Sequence, residues 1–260
     1  MGCHHRVSIR SSTKRTPAKL LYSYSHALRQ PATGKEVEVI KRNRALAHLN
    51  TSHFDAVLSD TGYPEFSLDS PSEKALFRAA EALYKLERFI ECVEVLVKLR
   101  AYFPDNNSAV VILDRAQARI REEKTGLYDF KQLQVKASNL RPPHLDCATY
   151  IGPVEVKATK SKGRGLFVTK AVKAGGLLLC EKAFCHTYAS KQDESSSKVT
   201  TLLNLETNLA SRGTHADLMK QIVQKLFRNP SIAPKFTTLY HGTYKEAKIS
   251  AVDLEPVVDT

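Results

Sequence analysis

The chain has 260 residues, enough for one large domain or two ordinary ones with a real core. Apolar residues make up 42%, the usual globular share, which argues against general disorder. The net charge of +12 favours acidic partners or nucleic acid in general, but no interleaving of arginine with aromatics marks a nucleic-acid platform.

No apolar run approaches the ~20 residues of a membrane helix, and no basic start followed by an apolar stretch marks a secretory signal. The five cysteines, Cys3, Cys92, Cys147, Cys180 and Cys185, are odd in number, widely spread and without a CxxC pair. That usage fits reduced thiols, so a soluble cytoplasmic or nuclear chain is expected. The opening Met-Gly-Cys has Arg6 where a myristoylation pattern needs Ser or Thr.

Residues 1–16 are basic and irregular, and a helical pattern runs over 17–136. Shifting the chain by 35 residues brings Ala45 onto Ala80, Phe54 onto Phe89, Val57 onto Cys92 and Leu58 onto Val93. Such a period with helix-turn-helix patterning resembles the tetratricopeptide repeat, and Pro104 falls where that motif expects a proline. "AKLLYSYSHAL" reads as the second helix of an earlier repeat whose first helix is missing. Ser70, Pro71 and Glu73 predict an N-cap, a first-turn proline and a capping box. Ala109, Ile112, Leu113, Ala116 and Ile120 predict one apolar stripe on a following helix that caps the stack.

Residues 137–150 form a connector in which Pro142 and Pro143 stop the helical pattern. In 151–260 the pattern turns strand-like: "GPVEVKAT", "GLFVTKAV" and "GLLLCEKAFCHTY" are short runs separated by glycine turns. At two residues per pleat, Cys180 and Cys185 are expected on opposite faces of one strand, as packing residues. A polar loop follows at 191–198. A helix from about 215 then carries Leu218, Met219, Ile222, Val223, Leu226 and Phe227 at helical spacing.

The stretch "SKGRGLFVTKAVKAGGLLLCEKAF" after a helical-repeat region resembles the opening of a SET domain. Fungal-type proteins that join tetratricopeptide repeats to a SET domain are most similar, and SET-and-MYND proteins resemble the chain apart from their zinc finger, which is missing here. The resemblance implies an α + β fold, a helical repeat stack followed by a partial β-rich SET domain with a helical insert. It also implies S-adenosylmethionine-dependent protein-lysine methylation. It places Lys162, Gly163, Arg164 and Gly165 against the cofactor. There the glycines let backbone approach the ligand, and the two cations can bond its carboxylate. The plain alternative is a hairpin turn with flanking charges, Lys157, Lys160, Lys170 and Lys173 making the surroundings basic. A dinucleotide-binding reading fails for want of a third glycine and a following helix.

A SET methyltransferase also needs a late Asn-His-x-Cys segment and a tyrosine lining the lysine channel. The sequence has no Asn-His pair, and Tyr240 and Tyr244 precede the family's catalytic position. No catalytic residue is therefore assigned, and the chain is expected to be truncated within the SET domain, with little or no activity and weak cofactor binding. An alternative is a non-catalytic adaptor for acidic C-terminal peptides such as those of chaperones. In tetratricopeptide modules of that kind an Asn and a Lys-x-x-x-Arg grip the terminal carboxylate, and Asn43, Lys74 and Arg78 match them. The four-residue spacing puts both cations on one helical face. A solvated groove surface and a truncated product without stable function stay open beside it.

Overall fold

A computed structural model describes residues 16–66, 72–140, 142–188, 201–205 and 208–239. The Met-Gly-Cys start, Ser70, Pro71, the 191–198 loop, Tyr240 and Tyr244 lie outside the described residues. The architecture is mixed: a helical stack, then short antiparallel ladders and a closing helix. Among the described residues no helix is long and apolar enough to cross a membrane.

The stack runs through α1 (Pro17–Ala27), α2 (Gly34–Asn50), α3 (Phe54–Thr61), α4 (Glu73–Lys85), α5 (Phe89–Tyr102) and α6 (Asn107–Thr125), each packed on the one before. α7 (Phe130–Asn139) follows. Leu76, Ala79, Ala80 and Leu83 line one face of α4 and are fully buried, as their spacing dictates. Val57, Cys92, Leu96 and Leu99 complete the centre of the core. Each buried leucine contributes roughly 1.5–3 kcal/mol over leaving it in water. Small residues set the closeness of the helices: Ala45 and Ala80 have no exposed surface, and the Cys92 thiol reaches the Ala80 carbonyl at 3.2 Å.

The 35-residue period appears again in the turns. Ser52 and Glu87 both take left-handed backbone, with φ of 60° and 63°. His53 N–H donates to His48 O and Arg88 N–H to Leu83 O, both at 2.9 Å. Ser52 N–H to Leu49 O and Glu87 N–H to Tyr84 O are both 3.1 Å. These are two copies of one Schellman ending, with Ser and Glu where glycine is usual. The stripe on α6 is buried at Ala109, Leu113 and Ala116, while Ile112 and Ile120 pack at its margin. α1 has no buried residue.

The helix starts differ from expectation. α4 begins at Glu73 with Ser72 before it, and no side chain caps it. The Ser72 hydroxyl instead accepts from the Arg42 guanidinium at 2.9 Å. A reciprocal capping box sits on α2, where Glu36 N–H donates to Thr33 Oγ1 and Thr33 N–H to the Glu36 carboxylate.

Asp146 pins the connector to the stack. It accepts from the Tyr84 hydroxyl at 2.9 Å and the Arg115 guanidinium at 2.8 Å, and Arg119 donates to its carbonyl. Beyond it come β1 (Tyr150–Ile151), β2 (Val154–Thr159), β3 (Gly163–Val168), β4 (Leu179–Cys180), β5 (Thr201–Asn204) and β6 (Leu209–Arg212). They form three two-stranded antiparallel ladders, β1 with β4, β2 with β3 and β5 with β6. The run expected as a long strand after Gly176 is extended pairing only at Leu179 and Cys180, because β1 offers just two residues to pair with. Cys185 therefore lies past the strand, and the opposite-face argument for the two cysteines does not apply. α8 (Thr214–Arg228), a 3₁₀ turn at Pro230–Ile232 and α9 (Ala233–Thr237) close the described chain.

Candidate functional site

The Gly-Arg-Gly stretch forms the turn and first residues of the β2–β3 hairpin. Thr159 pairs with Gly163, leaving Lys160, Ser161 and Lys162 as a three-residue loop. Gly163 has φ of 75°, the left-handed residue that such a loop requires. The Thr159 hydroxyl closes the turn, accepting from Lys162 N–H at 3.0 Å and donating to Gly163 O at 2.8 Å.

A methyl group built on Gly163 would meet nothing within 4 Å, so its glycine answers to φ and leaves that face open. On Gly165 the added carbon would come within 3.1 Å of the Phe167 ring. Lys162, Gly163 and Arg164 are exposed and Gly165 half-buried. The Arg164 guanidinium reaches Thr238 O at 3.4 Å, which joins the hairpin to the segment after α9. The four residues are consecutive along the turn and the start of β3, three of them exposed. The two cations suit a carboxylate, and among the described residues β3 beside them is paired along one edge only.

Asn43 and Lys74 are exposed on α2 and α4, whereas Arg78 is half-buried. Arg78 donates to the Arg42 carbonyl on α2, which sets it against the helix that carries Asn43. Burial, reinforced by the Arg42 charge, pulls the Arg78 pKa below its ordinary value. Part of its hydrogen-bonding capacity is therefore already used inside the stack.

Sequence reasoning missed a cleft of about 1130 Å³ between the repeat turns and α8. Its walls include Phe54, Leu86 and Phe89 from the stack, Phe184 after β4, and Gln224, Lys225 and Arg228 of α8. None of the four hairpin residues lines it.

Three contacts hold its sides together. The Asn229 side chain, buried at 3% exposure, accepts from Phe54 N–H at 2.7 Å and donates to Ser52 O at 3.0 Å. Asp55 accepts from the Ser231 amide at 2.8 Å and hydroxyl at 2.7 Å. Glu87, the turn residue one repeat later, pairs with Lys182 at 2.5 Å and Lys235 at 3.4 Å. Burial pushes the Glu87 carboxyl upward, but the two ammonium groups outweigh it and hold its pKa below the usual value. The Asn-Pro pair at 229–230 signals a helix end, and nothing local identifies the turn that Asn229 grips.

No family model and no solved structure matches the chain. It is 38% identical over 244 residues to a protein of Gibberella zeae named "Methyltransferase". The matched region takes in 94% of this chain and 33% of that protein, so the chain spans about a third of the length of the curated relative.

Proposed function

We propose that the chain is the repeat-and-hairpin portion of an S-adenosylmethionine-dependent protein-lysine methyltransferase of the SET type, with a tetratricopeptide-like stack at its N-terminal side. The observation that carries the reading is the 38% identity to a relative named "Methyltransferase" along nearly all of this chain. The Gly-Arg-Gly hairpin supports it locally, through the open face at Gly163 and the cations of Lys162 and Arg164. In this reading the cofactor supplies an electrophilic methyl group. The turn holds the ligand's amino-acid end, with Arg164 and Lys162 bonding its carboxylate.

The residues named form one exposed wall, so binding by the 260-residue chain alone is weak. Titration calorimetry with S-adenosylmethionine is expected to give a dissociation constant in the high micromolar range or above. A further loss on changing Lys162 and Arg164 to Ala is also expected. Tight binding that survives the double change would place the cofactor elsewhere.

A second reading rests on Arg78, which its bond to the Arg42 carbonyl holds beside α2. There Asn43, Lys74 and Arg78 receive the terminal carboxylate of an acidic peptide, as an adaptor would. Weak, salt-sensitive binding of such a peptide is expected, and amidating its C-terminus should abolish it. Binding that ignores amidation removes the clamp.

A further inference from the structure

We propose that the cleft between the repeat turns and α8 binds an extended acidic segment of a partner protein, independently of the cofactor hairpin and of the α2–α4 groove. At about 1130 Å³ it is larger than the ~300–1,000 Å³ typical of small-ligand pockets, which suits a stretch of polymer. Gln221, Gln224, Lys225 and Arg228 follow helical spacing, so α8 turns one polar face into the cleft. Amide side chains can both donate to and accept from a peptide backbone, and the two cations beside them favour carboxylates.

The opposite wall carries Phe54 and Phe89, which begin α3 and α5 and stand one repeat apart. Phe89 is buried in the core, whereas the half-buried Phe54 offers an apolar step for a side chain of the segment.

Charge selects the sign of the occupant. Glu87 is neutralised within the wall by Lys182 and Lys235. The remaining cations are Lys85 on α4 and Lys225 and Arg228 on α8; none of the three forms a salt bridge among the described residues. The Lys225 ammonium rests on the Phe184 carbonyl at 2.6 Å and over its ring at 4.4 Å, which holds it at the cleft wall. The other carboxylates, Glu123 and Glu181, come from α6 and from the residue after β4. With Glu87 paired off, three cations stand against two carboxylates in the lining, and that balance favours an acidic segment.

The test is fluorescence anisotropy on the 260-residue chain with a fluorescein-labelled peptide, Glu-Leu-Asp-Phe repeated twice. Saturable binding is expected, weakened about tenfold by K225E with R228E and about threefold by K85E. The same peptide with Lys in place of each acid should not bind, and amidating the acidic peptide's C-terminus, which removes the carboxylate that the α2–α4 clamp requires, should leave its binding unchanged. If thermal melting shows that the double variant does not fold, K85E, on an exposed side chain, decides alone. Affinity unchanged by these reversals, or equal binding of the lysine peptide, overturns the proposal. Loss of binding on amidation assigns the peptide to the α2–α4 groove instead and also overturns it. So does displacement by a single-stranded oligonucleotide that binds more tightly and responds to the same reversals.

Discussion

The stack and the ladder region contain similar apolar side chains but use them differently. In α2–α6 the leucines at 76, 83, 96 and 99 are fully enclosed by helices adjacent in sequence. In the ladders Val156 is 62% exposed, Val168 56% and Leu203 59%. The repeat closes its core with neighbours a few residues away, and each added hairpin supplies the next surface. A two-stranded ladder has no second layer of its own and is marginal alone. Stability and cooperativity are therefore expected to concentrate in the stack, with the ladders held mainly by what docks them onto it.

The sharpest challenge to this contrast is a matched pair of truncations. Leu83→Ala should cost about 2–5 kcal/mol in urea unfolding, the usual range for a buried leucine. Leu203→Ala, at an exposed ladder position, should stay within about 0.5 kcal/mol. Equal costs would erase the distinction between the two regions.

A second test uses pH and reads the stack alone. Arg44 and Asp60 form a paired salt bridge at 2.5 Å beneath His48, whose Nε2 lies 3.8 Å from Asp60. Burial pulls the His48 pKa from 6.5 down to about 4 despite Asp60, and its Nδ1 is buried without a hydrogen-bond partner. The folded pKa lies below the unfolded one, so the unfolded chain takes up the proton first. Stability from this source is whole above about pH 6.5 and is lost as pH falls towards 4. Allowing for solvent screening, the loss is roughly 1–3 kcal/mol. Urea unfolding of the wild type and of H48Q at pH ~7 and ~4.5 should show a smaller pH dependence in the variant. Identical slopes would contradict the assignment.

The helical part of the chain was legible because its signals are local and periodic: Ala45 and Ala80, Phe54 and Phe89 recur at one fixed shift. The β2–β3 hairpin was legible through its glycines. The α4 start was misplaced because three candidate residues, Ser70, Pro71 and Ser72, compete within one turn and Arg42 takes the Ser72 hydroxyl. The capping box of α2 was open to reading, since "TGKE" carries the Thr-x-x-Glu pattern. The cleft was not. Asn229 and Phe54 are 175 residues apart, and no spacing rule connects an asparagine after one helix to the amide at the start of another.

A more local test sharpens how the two regions meet. Asn229→Ala leaves the Phe54 amide and Ser52 carbonyl without their partner and should cost about 1–3 kcal/mol. Hydrogen exchange should then speed up at Phe54 and along α8 while α4 and α5 keep their protection. An unchanged exchange pattern would show that the turn contact does not tie the regions together.

The two left-handed turns at Ser52 and Glu87 have one further consequence. Their backbones are near copies, yet one is gripped through Asn229 and the other through Lys182 and Lys235. The C-terminal region therefore measures the stack like a ruler with two marks set one repeat apart. Inserting a single 35-residue unit between them would set the two marks two repeats apart and put one of them out of reach. Repeat number in this part of the chain is thus fixed by docking, even though the repeats themselves would tolerate a longer or shorter array.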